Sequence, residues 1–398
     1  MSTATRNATL ADLAEILAQQ QARKLDVIVP AIHLRADGGD LVIDGAAPLI
    51  EDDGVTDPNG RYRLTDVCDE GVADKLGIPL SYVRRMRADR ADLWDANVNG
   101  WLHGGYLAEV GDRDLPGSAG PGSDYHWAPD PRSFLLRCFR SDDGELGVAR
   151  ALLSDRFGMY DNLDILTAAL SGIRDAGVPV EVQGCDLSDR RMYVRVFSPA
   201  VAVLAEDLLR GYRSPYSGAE GTDNPTVFAG FEISNSEVGA GAFTITPRLV
   251  VQVCSNGLKV TKDVLRRVHL GGQMEHGVVR FSDDTARKNL DLVTAQARDA
   301  VATFLDVEYV REKVAAISET AATPLADPAK AVEVVGKRLL FGEDVTRGVL
   351  DHFIRSSQVT AGGLLQAVTS YAQVVDDADV AADLEGKAIQ AMELAAAL

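Results

Sequence analysis

Cysteine is scarce in this chain. Cys68, Cys138, Cys185 and Cys254 are spread over 398 positions and form no CxxC pair. That excludes a disulfide-stapled secreted scaffold, and the four read as reduced, structural thiols of a cytoplasmic protein. Long apolar runs are missing as well. No stretch approaches 18 consecutive apolar residues, so no membrane-spanning helix and no membrane partner are expected. The opening segment MSTATRNATLADLAEIL lacks a basic region followed by an apolar run, so no secretory signal is expected. Catalytic signatures are absent too: there is no GxSxG, no HExxH, no P-loop and no GxGxxG opening a helix. The six histidines are scattered, and His269 and His276 with Cys254 find no fourth ligand. No reaction, metal or cofactor is therefore assigned.

What the chain has in excess is acid. It carries 40 Lys and Arg against 59 Asp and Glu, a net charge of −19. The excess sits in the flanks: residues 1–130 hold 12 basic and 22 acidic side chains, and residues 305–398 hold 8 and 15. The middle, 131–304, is nearly balanced at 20 and 22. Within it, Arg248 to His269 contains Arg248, Lys259, Lys262, Arg266 and Arg267 against the single acid Asp263. Fields act over about 8 Å in physiological salt, so such a local patch can bind an anion despite a negative total. The default reading is a solvated surface of mixed sign, and the sharper one is a basic groove framed by acidic outer layers.

Hydrophobic spacing divides the chain. An N-terminal α+β region spans 1–110. It opens with a helix carrying Leu10, Leu13, Ile16 and Leu17 on one face, with Thr9 and Asp12 as its cap. DVIVPAIHLRADGGDLVIDG then reads as two strands forming a hairpin around Gly-Gly-Asp. A helical unit at 65–90 is capped by Thr65, broken by Gly77 and Pro79, and resembles a helix-turn-helix, with packing as the default reading. Residues 111–131 form a Gly/Pro-rich loop. A central β-rich core at 132–282 starts with the hairpin 132–140/146–153 around Ser-Asp-Asp-Gly. A helix from Asp161 to a stop at Gly177 follows, then strands at 178–185, 192–197, 226–234 and 243–254. A helical C-terminal region occupies 283–398. The predicted class is α+β: an antiparallel sheet of β-hairpins covered by a helix, with helical N- and C-terminal regions.

Three stretches concentrate cations near aromatics. In ALLSDRFGMYDN, Arg156 and Tyr160 stand at the end of a strand that carries Arg150. In RRMYVRVF, period two places Arg191, Tyr193, Arg195 and Phe197 on one face. In VQVCSNGLKVTKDVLRRVHLGG, Lys259, Lys262 and Arg266 share a face if the segment is helical, beside Arg267. Cations beside π-faces suit a single strand, whose phosphates they neutralise and whose bases they stack.

Several separated segments carry a family resemblance. WLHGGY, RCFR with ARALLSDRFGMYDNLDIL, RMYVRVFSP, VQVCSNGL and HLGG, in this order between about residues 60 and 310, resemble the phage/plasmid-like proteins that carry a large domain of unknown function. The hairpin–helix–hairpin order at 132–197 also resembles the core of single-strand annealing recombinases. That second resemblance implies rings or filaments with a basic groove for single-stranded DNA. The functional expectation is therefore binding and annealing of single-stranded DNA by a homo-oligomer, without nucleotide hydrolysis. Arg150, Arg156, Arg191, Arg195, Lys259, Lys262, Arg266 and Arg267 would meet phosphates, and Tyr160 and Tyr193 would stack bases. The alternative is an oligomeric structural or interaction protein of a mobile genetic element with no nucleic-acid activity.

Overall fold

A computed structural model describes residues 4–51, 54–104, 106–109, 125–140, 146–253, 257–267, 273–274, 277–278 and 283–398. In chain order its elements begin β1 (Thr5–Ala8), α1 (Leu10–Arg23), β2 (Lys24–Pro30), β3 (Leu34–Asp37), β4 (Asp40–Ile43), β5 (Leu49–Glu51), β6 (Gly54–Thr56) and β7 (Gly60–Leu64). Helices α2 (Asp66–Leu76), α3 (Leu80–Asp89) and α4 (Ala91–Gly104) follow, then the ribbon β8 (Tyr106–Glu109) and β9 (Tyr125–Ala128). Next come β10 (Ser133–Phe139), β11 (Gly147–Ser154), α5 (Asn162–Ala176), β12 (Glu181–Leu187), β13 (Met192–Leu204) and α6 (Glu206–Leu209). The sheet strands end with β14 (Thr226–Asn235), β15 (Phe243–Val251), β16 (Gly257–Lys259) and β17 (Leu265–Arg267), before the short ribbon β18 (Gln273–Met274) and β19 (Gly277–Val278). The C-terminal helices are α7 (Asp283–Phe304), α8 (Val307–Ala321), α9 (Pro328–Arg338), α10 (Glu343–Ser356), α11 (Ala361–Val374) and α12 (Ala378–Ala396). No described helix is long and apolar enough to cross a membrane.

Local chemistry sets the element ends. The Thr9 hydroxyl accepts the Asp12 N–H, and the Asp12 carboxylate accepts the Thr9 N–H, a reciprocal cap on α1. Thr65 accepts the Cys68 N–H at the start of α2, and Gly77 stops that helix at φ 66°, a conformation a β-carbon disfavours. The class is mixed α+β, but the described strands form two large sheets, beside the two-stranded ribbons β5–β6, β8–β9 and β18–β19. Seven strands run β1-β12-β13-β14-β15-β16, with β17 also on β15, all antiparallel. Six run β2-β10-β11-β7-β4-β3, antiparallel except for the parallel contact of β11 with β7.

This topology corrects three expectations. The hairpin β10–β11 does not open the central sheet; it pairs with the N-terminal strands β2 and β7. Alternation shows that a strand has a buried face but not which edge it joins. The segment 24–43 is three strands rather than one hairpin, because β2 pairs with β10 while Gly38-Gly39 turn β3 into β4. Lys259, Lys262 and Arg266 are not on a helix face: they fall on β16, a 3₁₀ turn and the start-to-middle of β17. Of the Gly/Pro-rich loop, 125–131 are described and 125–128 pair with β8; residues 111–124, the Ser-Asp-Asp-Gly turn at 141–144, and Cys254, His269 and His276 lie outside the described residues.

The six-stranded sheet packs Val27, Val29 and Leu136 against Cys68, Val72, Trp94 and Leu102 of α2 and α4. On the seven-stranded sheet, Met192, Val194, Phe231, Ile233 and Ile245 share a core with Ile165 and Ile173 of α5 and Val293 and Val301 of α7. Gly172 lets α5 approach so closely that an added Cβ would strike the α7 carbonyl of Thr294.

A buried ion cluster fastens the two sheets together. Arg137 on β10 has no exposed surface. Its guanidinium reaches Asp26 of β2 at 2.7 Å, Asp161 at 2.5 Å and the Glu237 carbonyl at 2.8 Å. Lys24 adds a second cation on Asp161 at 2.5 Å. Asp161 is the N-cap residue of α5 by position, but its side chain makes no cap bond. Glu237 caps instead, its Oε1 accepting the Asn162 N–H at 2.6 Å. Burial opposes ionisation of Asp161, yet Arg137 and Lys24 outweigh it and hold the carboxyl down at about 2, against the ordinary 3.8. A folded pKa below the unfolded one stabilises above about pH 4, and the contribution disappears as pH falls through 2. Asp161→Asn should therefore cost about 2 kcal/mol at neutral pH. Urea unfolding at pH 7, 4 and 3 should show a smaller acid-dependent loss in the variant than in the parent; parallel losses would contradict the assignment.

Candidate nucleic-acid interface

Alternation along the central strands of the seven-stranded sheet produces one apolar and one polar face. The polar face carries Tyr193 and Arg195 on β13, Glu232 and Ser234 on β14, and Thr244, Thr246 and Arg248 on β15. The register aligns Arg195 with Glu232, Glu232 with Thr246, and Arg248 with Lys259 of β16. The C-terminal helix α12 lies on this face. Glu385 of α12 takes Arg248 at 3.0 Å and Lys259 at 3.5 Å, while Lys259 reaches Glu232 at 2.6 Å. All four are at least 94% buried: Arg248 is 2% exposed, Glu232 3%, Lys259 5% and Glu385 6%. Burial opposes ionisation of Glu385, but Arg248 and Lys259 outweigh it and hold the carboxyl below its usual range. Gly257 makes this possible, because the Arg248 guanidinium occupies the space a Cβ there would need. Beside the cluster, Arg195 and Arg6 both clamp the fully buried Asp186, and Arg195 also donates to Asn7 at 2.7 Å. The Tyr193 hydroxyl donates to Asp379 of α12 at 2.7 Å.

Three predicted contact residues thus serve a different role. Tyr193 and Arg195 lie on the face that their period predicts, Lys259 joins them from β16, and α12 covers all three. Their polar ends face protein partners, so Tyr193 has no ring face free to stack a base and the two cations are spent on carboxylates. Arg150 is also mostly internal: its guanidinium lies 4.2 Å from the Phe139 ring centroid and reaches Glu237 at 2.6 Å.

Where α12 leaves the sheet, a cleft of about 950 Å³ opens between β13–β17, the start of α12 and the connection from α9 to α10. Its lining holds five cations, Arg190, Arg191, Lys259, Arg266 and Lys387, against Glu232, Asp379 and Asp383. Ser234 and Thr244, hydrogen-bonded at 2.7 Å, lie in its floor with Thr246. Leu340 stands on the rim, 87% exposed and held at φ 58°, beside Phe341. Arg266 is exposed and has no partner among the described residues. Arg191 donates to the Ala240 carbonyl, and Lys387 is paired with Asp383 at 2.7 Å.

A second cleft of about 500 Å³ lies between the two sheets and shares Arg190 with the first. It is lined by Arg23, Arg63, Arg150 and Arg190 against Asp189 and Glu237. A third cavity, about 760 Å³ beside α6 and α8, has the opposite balance, with two arginines against Glu206, Asp207 and Glu319.

The remaining predicted residues scatter. Lys262 is exposed and paired with Glu393 of α12 at 3.1 Å. Arg156 is exposed in the turn after β11, and Tyr160 is half-buried; neither lines a described cleft. Arg267 ends β17, and its side chain lies outside the described residues. The structure therefore brings Arg191, Tyr193, Lys259 and Arg266 to one cleft and Arg150 to the other. Sequence reasoning missed Arg63 and Lys387. Lys387 comes from the acidic C-terminal flank, where no charge run marks it, and Arg63 sits in the five-residue strand β7, outside the three cation-rich stretches. Arg190 was legible as half of an Arg-Arg pair, and its place between two clefts was not. No family model, curated protein or solved structure matches the chain.

The buried cluster is testable on its own. Arg248→Met leaves Glu385 facing one cation where there were two, and should destabilise the fold by about 3–5 kcal/mol. Adding Glu385→Met leaves the neutral pair Lys259–Glu232 and should recover much of that loss. Guanidinium unfolding of the two single variants and the double variant measures it; strictly additive losses would show that Arg248 and Glu385 do not act as a pair.

Proposed function

We propose that the chain binds single-stranded nucleic acid, DNA in the first instance, along the cleft between the seven-stranded sheet and α12, and promotes annealing without nucleotide hydrolysis. One observation carries this reading. In a chain of net charge −19, a cleft of about 950 Å³ is lined by five cations against three acids. Arg266 supplies an exposed guanidinium, with no partner among the described residues, for a phosphate. Leu340 and Phe341 supply the apolar wall against which a base can lie, the role that the buried Tyr193 cannot fill. Serine and threonine hydroxyls on the floor offer both donors and acceptors. A cleft of about 950 Å³ admits a few nucleotides and excludes a duplex, whose charge is spread over a rigid surface. Annealing needs two strands held close, so a homo-oligomer belongs to this reading.

Fluorescence polarisation with a labelled single-stranded oligonucleotide and its duplex, at low and near-physiological salt, tests it. Salt-sensitive binding that prefers the single strand is expected. In Arg191→Gln/Arg266→Gln, affinity should fall and the slope of log affinity against log salt should flatten by about 1.4, two phosphate contacts on a single strand. Arg156→Gln, outside the cleft, should leave both unchanged. No binding at low salt, together with light-scattering assembly that ignores DNA, would favour the interaction-protein alternative.

A further inference from the structure

The second cleft has its own chemistry. It contains four arginines and no lysine, and its walls include Ile16, Leu64 and Val148. Of its two acids, Glu237 is spent internally: Oε1 accepts the Asn162 N–H and Oε2 accepts Arg150, each at 2.6 Å. Arg190 is paired outward with Glu70 of α2. Two donors remain. Arg63, on the inner strand β7, is exposed and has no acceptor among the described residues. Asn162 is only 3% exposed; its Oδ1 accepts Asn235 Nδ2 at 2.9 Å, while its own Nδ2 donates to nothing among the described residues. A buried primary amide with an unused N–H and a free guanidinium therefore line the same cleft.

Both groups keep donor capacity that an anionic oxygen can use. Guanidinium geometry matches two oxygens of one phosphate, which an ammonium cannot do. The cleft's volume, about 500 Å³, lies within the range of small-molecule sites. We propose that this cleft binds a phosphomonoester on a ligand the size of a mononucleotide, with Arg63 gripping two phosphate oxygens and Asn162 Nδ2 donating to the phosphate. The site stands independently of strand binding in the larger cleft. The phosphomonoester could be a free nucleotide or the 5′-phosphorylated end of a strand.

The test uses the full chain. Titration calorimetry with dCMP should show binding, and deoxycytidine should not bind. Arg63→Gln should weaken dCMP at least tenfold. Arg63→Lys, which keeps the charge and loses the fork, should fall closer to the Gln variant than to the parent. Because Arg63 is exposed, both variants should match the parent's melting temperature without ligand. Polarisation with 5′-phosphorylated and 5′-hydroxyl oligonucleotides separates the sources. A preference for the phosphorylated end that Arg63→Gln removes assigns the strand terminus; dCMP binding without that preference assigns the free nucleotide. Absence of both responses, or responses unchanged in Arg63→Gln, overturns the proposal even where the oligonucleotide still binds. Conversely, dCMP binding without oligonucleotide binding leaves this site standing and removes the larger one.

Discussion

The Glu385 carboxylate, held between Arg248 and Lys259, is the interaction on which the rest of the molecule turns. It is the point at which the last helix closes onto the polar face of the central sheet. Without α12 in place, that face would present Tyr193 and an unpaired Arg248 beside the Lys259–Glu232 and Arg195–Asp186 pairs. With α12 in place, the face becomes a largely neutral buried layer, and an opening remains only where the helix departs. A buried ionic layer contributes little net stability over well-packed apolar residues. What it enforces is position: an uncompensated charge is so unfavourable that α12 has few alternative registers. The cleft walls inherit that definition, because Asp379, Asp383 and Lys387 lie on the same helix as Glu385.

The same logic recurs at the joint between the sheets. Arg137 is the counterpart of Arg248, a fully buried guanidinium with carboxylates from two directions. Here the partners come from β2 and from the residue that opens α5, so one side chain ties the six-stranded sheet to the helix beneath the seven-stranded one. Glu237 then completes two tasks at once, ending the helix dipole's free N–H at Asn162 and neutralising Arg150. The smaller cleft lies directly against this joint, and its excess of donors follows in part from that position: Glu237, one of its two acids, is already engaged by Arg150 and the Asn162 N–H.

How much of this was legible in the sequence depended on the range of the interaction. Caps and stops are local, and Thr9 with Asp12, Thr65, Gly77 and Gly177 all stand where short-range chemistry puts them. The face shared by Tyr193 and Arg195 was legible for the same reason, since strand alternation needs only neighbouring residues. What covers that face was not legible. The acid that claims Arg248 lies 137 residues away, and nothing near either residue announces the pairing. The edge chosen by β10 and β11 was hidden in the same way, because β2 and β7 contribute pairing groups that any strand could use. The run Lys259–Arg266 misled for a different reason: cations three and four apart suggest a helix, but Gly257 and the pairing demands of β15 make short strands instead.

The charge distribution now acquires a structural meaning. The nearly balanced middle of the chain and the acidic C-terminal flank are not separate layers. Asp379, Asp383, Glu385 and Glu393 of α12 meet Tyr193, Lys387, Arg248 with Lys259, and Lys262 in turn. Part of the flank's acid is therefore internal counter-charge, and the surplus faces outward. A polyanion approaching from solvent meets the field of −19 first and the clefts only within a Debye length. Under the proposed function, the long-range field slows its approach and the short-range lining holds what arrives. Such an arrangement discriminates by shape. A rigid, highly charged duplex cannot leave the repulsive exterior, whereas a flexible strand or a single phosphate can place its charge inside a cleft where the balance is reversed.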